Sequence, residues 1–525
     1  MMDDIKKISY HIFIFPFKWD YFKDELSFNK EINERINFEK FKTLLLETEY
    51  WEEEGKNIKE YIDYNQYVYF YKNVRKVIYG RNNTNDTNDK KILENKNINT
   101  QDELVKCFKF KGINENSKYV ISLKNKEYSL KLTDIKLKIY KTGVANLIFF
   151  VENNEFEKKE DILKINDYGR RIYPQFLPLE KCRDNFLADI SLMNISNNSS
   201  DKKSKPYISN FGEEKFKEHD FKEERLSSSI NISSVITDIL GESFLCEKCQ
   251  DIKNKIVITP IIDDRMFVMS FLVDSLFSNL IVNGDYFSDV WYKYIFIDNG
   301  SCTCQNEEMK EKLIKESTYV RWSNYNTLYG ITRYSFVVVA NNNEFTDILI
   351  NQFKTIYCEM VLLALTDRAS LLRFKEEISR IAALDEERTL SDVTSLQKLY
   401  MCFSNSIYFR EVTPQEQGIE MYDMLLAKMR IKEDVDSLEN NIREMYNYTN
   451  GIYNNQVSEK VNFITYIGGK IGAVSLIISI MALITELVGK IYEQFDEPTI
   501  FYILLITIIW SEIEKNFIDK NIKKK

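Results

Sequence analysis

Two apolar segments decide the architecture of this chain: FITYIGGKIGAVSLIISIMALITEL at residues 463–487 and PTIFYILLITIIWS at residues 498–511. The first contains only two charged residues, Lys470 and Glu486, and the second contains none. At about 1.5 Å per residue the first helix would be ~37 Å long, enough for a hydrocarbon core of ~30 Å, whereas the second would reach ~21 Å. We predict two transmembrane helices here. A buried helical hairpin in a soluble protein is the alternative.

Small and polar residues recur on one face of the first segment, at spacings of three and four residues. They are Gly468, Gly472, Ser475, Ser479, Ala482 and Glu486. Because the opposite face is apolar, one side of this helix suits lipid and the other suits neighbouring helices or water. We predict that the stripe lines a pore and that Glu486 and Glu493 form acidic rings that favour cations. A small-residue packing seam without water has the same spacing.

Basic residues close to the two segments predict their orientation. Lys460 precedes the first segment and five lysines follow the second, whereas the connecting loop has only Lys490 near its edge. Both termini are therefore expected on the cytoplasmic side of the cell inner (plasma) membrane. The N-terminal stretch MMDDIKK mixes acidic and basic side chains, so no secretory signal peptide is expected.

Composition argues against several classes of protein. The chain has 80 acidic and 71 basic residues and a net charge of −9, which argues against a general nucleic-acid binder. Its two histidines, His11 and His219, make histidine-based catalysis and multi-histidine metal sites unexpected. No GxxxxGK[ST], dinucleotide-binding, HExxH or GxSxG motif occurs, so we do not expect an enzyme and assign no catalytic residue. A membrane-anchored nucleotide-processing enzyme and a structural membrane scaffold remain alternatives.

The eight cysteines of the sequence include two close pairs, Cys246 with Cys249 and Cys302 with Cys304. Four thiolates could bind structural zinc, but one residue separates the second pair where zinc knuckles usually have two to four. We therefore expect reduced cytosolic thiols rather than a zinc site.

The rest of the chain predicts an α/β cytosolic domain followed by a long α-helical stalk. Its predicted segments are an N-terminal α/β lobe (1–193), a polar linker or flexible insertion (194–234), a second α/β lobe (235–343), the stalk (344–462), the two transmembrane helices (463–511) and a basic cytoplasmic tail (512–525). Strands are predicted at His11–Phe17, Tyr61–Tyr79, Glu127–Val151 (a hairpin broken at Gly143), Ile256–Ile262, Met266–Leu272, Tyr292–Ile297 and Tyr334–Val339.

Helical patterns begin at Glu344 and continue to the membrane segments. Long helices are predicted at Glu344–Ala383 and Leu390–Tyr408, and a further helix is predicted to open with the capping box Thr413-Pro414-Gln415-Glu416. Within that helix, apolar residues recur at alternating spacings of four and three residues. This spacing is typical of the seam of a coiled coil or of an ordinary helical bundle. They are Ile431, Val435, Leu438, Ile442 and Met445.

This order of parts resembles the CorA family of pentameric divalent-cation channels. The family's Gly-Met-Asn motif is absent, and YEQFDEP (492–498) stands in its place, which puts magnesium selectivity in doubt. The segments HIFIFPFKWD, TGVANLIFF, NDYGRRIYPQFL, IIDDRMFVMSF and REVTPQEQGIEMYDML look more like the divergent CorA-like proteins associated with type III CRISPR systems. That resemblance implies an antiviral homo-oligomer in a lipid bilayer, opened by a nucleotide second messenger such as the S-adenosylmethionine–AMP conjugate. A constitutive divalent-cation transporter is the alternative.

Residues that could hold such a messenger occur in two stretches of the second lobe. Aromatic faces stack on adenine, arginine pairs with phosphate, and a carboxylate can hold a sulfonium or ribose hydroxyls. The predicted ligand-binding residues are Asp263, Asp264, Arg265, Tyr319, Arg321, Trp322, Tyr329 and Arg333. For each of them, a structural role as a core aromatic or an interdomain ion pair is the alternative.

Overall fold

The structure is a computed structural model that describes residues 8–24, 30–55, 58–80, 103–172, 188–197, 207–212, 232–246, 253–263, 265–282, 288–383, 386–491, 502, 505–506 and 508–512. The chain divides into two units, Met1–Thr449 and Asn450–Lys525. The first unit is an α/β structure built on one mixed sheet. The second contains the apolar segments.

The described residues form a sheet of 14 strands in the first unit. The strands are β1 (Ser9–Phe22), β2 (Trp51–Glu53), β3 (Val105–Phe110), β4 (Lys118–Leu123), β5 (Lys126–Tyr140), β6 (Val144–Asn153), β7 (Ala188–Asn197), β8 (Tyr207–Phe211), β9 (Phe244–Cys246), β10 (Lys255–Pro260), β11 (Phe267–Val273), β12 (Thr318–Tyr319), β13 (Thr327–Ile331) and β14 (Ser335–Ala340). The main path runs β12-β13-β14-β11-β1-β6-β5-β4-β7-β8. Strands from segments 1–193 and 235–343 therefore share one sheet.

Strand β1 is the centre of this sheet. It pairs antiparallel with β6 along one edge, and with β11 and then β10 along the other. Its side chains alternate between the two faces, as a strand requires. Phe13, Phe15 and Phe17 enter one core, whereas Ile12 and Ile14 enter the other. Both faces are thus covered, which explains the nearly continuous apolar sequence of this strand. The predicted strand at His11–Phe17 is confirmed.

Helices cover both faces of the sheet. They are α1 (Ile32–Arg35), α2 (Phe38–Leu46), α3 (Tyr61–Tyr69), α4 (Lys72–Tyr79), α5 (Lys159–Gly169), α6 (Ser234–Leu240), α7 (Ser275–Val282), α8 (Asp289–Phe296), α9 (Glu307–Ser317), α10 (Thr346–Gln352), a π-helix (Phe353–Tyr357), α11 (Cys358–Ala382), α12 (Glu386–Ser406), α13 (Glu416–Lys428) and α14 (Ile431–Ile491). Residues of α2, α5, α6 and α8 join the core on one face, and residues of α4 and α10–α14 join the core on the other.

The predicted hairpin at Glu127–Val151 is confirmed by β5 and β6, and the turn falls at Gly143. Its φ of +77° is a conformation that favours glycine, and a Cβ there would lie 2.7 Å from the guanidinium of Arg373. The strands predicted at Ile256–Ile262, Met266–Leu272 and Tyr334–Val339 are also confirmed, as β10, β11 and β14.

Two predicted strands are wrong. Tyr61–Tyr79 folds as helices α3 and α4, and Tyr292–Ile297 lies in helix α8 and the residue that ends it. Helix α3 is opened by a capping box between Glu60 and Asp63. Local capping and amphipathic spacing outweighed the aromatic and β-branched composition of these segments.

Helix α4 shows the spacing most clearly. It buries Val74, Val77 and Ile78, which are three and four residues apart. In α8, the side chain of Ser288 caps the helix by accepting a hydrogen bond from the amide of Trp291. Each helix therefore carries a signal that composition alone did not reveal.

The predicted long helices Glu344–Ala383 and Leu390–Tyr408 are confirmed, but the capping box at Thr413 is wrong. Helix α13 begins at Glu416, and the hydroxyl of Thr413 donates instead to the carbonyl of Tyr69. The helix also breaks before α14, at Arg430, whose φ is +56°. The predicted seam exists at the start of α14, where Ile431, Val435, Leu438 and Ile442 are buried and Met445 is half-buried. These residues pack into the α/β core.

Candidate functional site

The structure separates the predicted ligand-binding residues between two ends of the strands. Arg333 lies in the turn before β14, where the amide of Val268 donates to the carbonyl of Tyr334 at 3.1 Å. Trp322 lies at the opposite end, because its carbonyl accepts from the amide of Thr327, which pairs with the last residue of β14. A strand of six residues spans roughly 17 Å. Asp263, Arg265 and Arg333 thus share one end, and Arg321 and Trp322 lie at the other.

The first end holds a group that we call the arginine cluster: Arg170, Arg171, Arg265, Asp167 and Asp263. The backbone brings them together, since Arg171 bridges Arg265 and the amide of Met266 donates to the carbonyl of Arg170 at 2.6 Å. Asp167 accepts from Arg170 Nη2 at 3.2 Å and from Arg171 Nη2 at 3.1 Å. Arg265 Nη2 lies 3.4 Å from Asp263 Oδ2. The predicted residue Asp264 lies outside the described residues.

Burial gives the arginine cluster its electrostatic character. Arg170 and Arg171 are only 4% and 3% exposed. Burial lowers the pKa of both guanidinium groups, Asp167 opposes that shift, and the positive charge of Arg265 adds to it. Within the described ranges, neither the Nε–H of Arg170 nor that of half-buried Arg333 has a hydrogen-bond partner. Among the described residues, the cluster has three cations against two carboxylates, an excess that suits an anion such as phosphate.

The last turn of helix α5 positions this cluster. Asn166 on that turn accepts a hydrogen bond from His11 Nδ1 at 2.7 Å and donates to Ser270 Oγ at 3.2 Å, so it fixes α5 to both β1 and β11. Gly169 allows the close approach, since a Cβ there would lie 2.5 Å from the ring of Phe13. Arg170 and Arg171 were not among the residues predicted from the sequence. The available signal was the adjacent arginine pair directly after a helix-ending glycine.

The residues at the other end make structural contacts. The hydroxyl of Tyr319 and Nη1 of Arg321 both donate to the carboxylate of Glu420 on α13. These hydrogen bonds, led by that from Tyr319, lower the pKa of Glu420. Tyr329 is buried and its ring lies 5.9 Å from that of Tyr357. This group joins the edge of the sheet to α13, and Trp322 is half-buried against the same core.

A polar cavity that the sequence did not predict lies elsewhere on the sheet. It has a volume of about 300 Å3 and is bounded by β3, β5 and β6, by α3 and α4, and by the π-helix with the start of α11. Three lysines and three carboxylates line it: Lys136, Lys138, Lys354, Glu54, Asp63 and Glu359. Their convergence depends on pairings between residues far apart in the chain, which no local pattern reports.

The predicted cysteine pairs form no metal site within the part of the chain that the structure describes. Cys302 is buried and its thiol points to the carbonyl of Asp289 at 3.9 Å, and the thiol of Cys304 points to the carbonyl of Asn306 at 3.6 Å. Cys249 and the side chain of Cys246 lie outside the described residues. The expectation of reduced thiols rather than zinc therefore stays a prediction.

Among the described residues, two helices are long and apolar enough to cross a membrane, Thr346–Ala382 and Ile431–Glu486. They differ in burial. In the first, 61% of the most apolar stretch is buried inside the α/β unit, so it is a core helix. In the second, none of the corresponding stretch is buried. This second helix therefore presents an apolar surface that still needs covering.

The predicted pore stripe lies on this exposed part of α14. Residues Gly468, Gly472, Ser475, Ser479, Ala482 and Glu486 are all helical and exposed, as are the apolar residues opposite. The hydroxyl of Ser479 donates to the carbonyl of Ser475 at 2.8 Å, so this polar group is satisfied within the helix. Glu493 lies outside the described residues. In the second apolar segment, Tyr502, Leu505, Ile506 and residues 508–511 are described, and they are helical and exposed.

Comparison with known proteins gives no relative: no family model, curated protein or solved structure matches this chain. Its function must therefore be inferred from the described residues and from the sequence.

Proposed function

We propose that this chain is the subunit of a CorA-like, ligand-gated membrane channel, an antiviral effector opened by a nucleotide second messenger such as the S-adenosylmethionine–AMP conjugate. The observation that carries the proposal is helix α14, which is continuous from Ile431 to Ile491. It begins with side chains buried in the α/β core and continues as an exposed apolar stretch.

A membrane accounts for this change along one helix. Exposed apolar side chains such as Ile471, Val474 and Leu476 are unfavourable in water and favourable in lipid. The face with Gly468, Gly472 and Ser475 suits close contact with identical helices or a water-filled axis. We therefore infer a homo-oligomer, a pentamer by resemblance, in which α14 surrounds the pore and Glu486 lies at its outer mouth.

The ligand of the proposed channel binds at the arginine cluster. Arg170, Arg171 and Arg265 supply the positive charge that a nucleotide phosphate requires, and Arg333 lies at the same end of the strands. The Nε–H groups of Arg170 and Arg333 are donors that the described residues leave available. The carboxylate of Asp263 accepts a hydrogen bond from a ribose hydroxyl of the messenger or pairs with its positively charged group.

A matched pair of variants tests this site. Arg265 and Arg321 are similarly exposed, at 34% and 40% of their side chains, and each pairs with a carboxylate. A charge-assisted hydrogen bond contributes about 1.5–3 kcal/mol. We therefore expect Arg265→Gln to weaken binding of the S-adenosylmethionine–AMP conjugate by roughly tenfold or more. Arg321→Gln should change it less than twofold.

The measurement is calorimetric titration of the full-length protein in detergent, followed by ion flux from liposomes with and without the conjugate or cyclic adenylates. Ligand-dependent flux supports the proposal. Equal flux with and without ligand would favour the constitutive transporter, and consumption of the ligand over many cycles would favour the nucleotide-processing enzyme. Equal loss of affinity in both variants would contradict the placement of the phosphate at the arginine cluster.

A further inference from the structure

The polar cavity between the sheet and the helices is lined by residues from five stretches of the chain, between residues 54 and 362. Lys136 and Lys138 are two residues apart on β5, so their side chains lie on the same face of the sheet. Cys107 of β3 is paired with Lys138. The π-helix and the start of α11 close that face with Lys354 and Glu359. Helices α3 and α4 form a side wall. The cavity is therefore a built feature of the fold.

The charged groups of this cavity are matched in number and come from different elements. Lys138 is 5% exposed and its Nζ donates to Glu359 and to the carbonyl of Ile78. The Nζ of Lys136 lies 2.9 Å from both carboxylate oxygens of Glu54. With Asp63 and with Lys354, whose Nζ donates to Glu152 at 2.9 Å, the lining has three ammonium groups and three carboxylates. A ligand with only negative charge would be repelled by the three carboxylates, and a ligand with only positive charge would be repelled by the three ammonium groups.

The rest of the lining is apolar or weakly polar. It combines four apolar side chains and two thiols with the polar side chains of Gln66, Tyr79 and Thr355 and with Gly55; the apolar residues are Ile78, Ile148, Phe150 and Leu362, and the thiols are those of Cys107 and Cys358. A ligand of matching chemistry carries one positive and one negative group beside an apolar part. The volume of about 300 Å3 is at the lower end for small-molecule sites, which favours a compact metabolite over a dinucleotide.

The π-helix Phe353–Tyr357 is an independent feature of the same wall. It contributes Lys354 and Thr355 to the cavity. A π-helix interrupts regular helical hydrogen bonding and is found frequently at functional sites. Lys354 and Cys358, and likewise Thr355 and Glu359, are four residues apart, so they lie on one face of this helical stretch and line the cavity together. We infer that this cavity binds a zwitterionic metabolite of the size of a free apolar amino acid, its carboxylate near Lys136 and Lys354 and its ammonium group near Glu54 and Glu359.

The test is calorimetric titration of the full-length protein in detergent with L-alanine, L-leucine, L-methionine and L-phenylalanine. We expect at least one of them to bind with a Kd below about 1 mM. For the one that binds most tightly, the analogues that lack only the amino group or only the carboxylate should each bind at least tenfold more weakly.

Site variants complete the experiment. Lys136→Gln and Lys354→Gln should each lower the affinity at least fivefold, because each removes an ammonium group near the carboxylate of the ligand. Both lysines are partly exposed, so their loss leaves the core intact. Lys312→Gln, which removes an exposed paired lysine on the surface of α9, is the control and should bind as the wild type does. The inference is overturned if no amino acid binds, if a singly charged analogue binds as tightly as its parent, or if both cavity variants keep the wild-type affinity.

Discussion

His11 is the centre of a buried polar network that fixes the arginine cluster. Its Nδ1 lies 2.7 Å from Asn166 Oδ1 and its Nε2 lies 2.9 Å from Ser9 Oγ. An amide oxygen can only accept, so Nδ1 carries the proton and Nε2 accepts from the serine hydroxyl. Both ring nitrogens are satisfied in the neutral form. Burial lowers the pKa of His11 to about 4, against a smaller opposing effect of Asn166.

This shifted pKa makes folding sensitive to acid. The unfolded chain binds a proton on His11 below pH ~6.5, whereas the folded chain binds it only near pH 4, so His11 removes stability as the pH falls between those values. The slope is at most about 1.4 kcal/mol per pH unit. We expect the free energy of unfolding of His11→Gln to fall less steeply than that of the wild type, as measured by urea unfolding from pH 7.5 to 4.5.

His219→Gln is the control for loss of a histidine as such, and it should keep the wild-type slope. Identical slopes in His11→Gln and the wild type would show that His11 titrates normally in the folded protein. A neutral histidine here also matters for the site, because a charged ring would lose its hydrogen bond from Ser9 and disturb the turn that carries Arg170.

Glu486 is the residue on which ion selectivity should depend. In an oligomer, one carboxylate from each subunit would form a ring, and such rings concentrate cations at a pore mouth. We expect the ratio of cation to anion permeability to decrease in Glu486→Gln and to decrease further in Glu486→Lys. Reversal potentials under a salt gradient provide the measurement. If both variants keep the wild-type reversal potential, Glu486 does not lie on the permeation path.

At the scale of elements, the sequence predicts correctly those turns, strands and helices that interactions between neighbouring residues determine. Gly143 correctly marked the β5–β6 turn, because a positive φ and a close approach to Arg373 require glycine there. The tyrosine-rich stretch Tyr61–Tyr79 misled, since its composition favours strands while the Glu60–Asp63 capping box and the spacing of its buried residues favour helices. Composition is the weaker signal when periodicity contradicts it.

The candidate site was only partly predictable for a different reason. Asp263 and Arg265 were identified because they follow a strand, but their partners Arg170 and Arg171 are about ninety residues earlier in the chain. Parallel pairing of β11 with β14 decides which residues share an end, and it places Arg321 and Trp322 away from Arg265. Such pairing is a property of the whole sheet, and a single sequence does not report it.

The start of helix α14 should support the α/β unit. Leu438 is completely buried, so Leu438→Ala removes apolar contacts and leaves a cavity, which should cost about 2–4 kcal/mol of unfolding free energy. The neighbouring variant Glu439→Ala, at an exposed position, should change it by less than about 0.5 kcal/mol. Urea unfolding followed by tryptophan fluorescence measures both.

The alternative to this role is a seam between subunits. In that case Leu438→Ala would lower the oligomeric state measured by light scattering, and the unfolding midpoint would depend strongly on protein concentration. Unchanged stability together with loss of the oligomer would contradict the packing of this seam within one chain.

At the scale of the whole molecule, the apolar stretch of α14 should determine solubility. The core of the first unit ends with residues before Thr449, so deleting Phe463–Lys525 removes exposed apolar surface and leaves that core complete. We expect the truncated protein to remain in the supernatant after membranes are sedimented, with a cooperative unfolding transition. The full-length protein should sediment with membranes and resist extraction by carbonate.

Detergent dependence provides the counter-test for the intact chain. A full-length protein that stays monomeric and soluble without detergent would exclude membrane insertion and would favour the buried helical hairpin. An aggregated truncated protein would mean that the α/β unit needs residues beyond 462.

The central position of β1 also constrains the order of events during synthesis. This strand leaves the ribosome before the other strands of the described sheet, but its second edge is covered only when β10 and β11, residues 255–273, have been made. At about 5–20 residues per second, its phenylalanine-rich sequence waits roughly 12–50 s for those partners. Nascent chains of this protein are therefore expected to depend on chaperones during that interval. The sheet can be complete before residues 463–487 emerge, so the α/β unit can fold before the apolar stretch of α14 has been made.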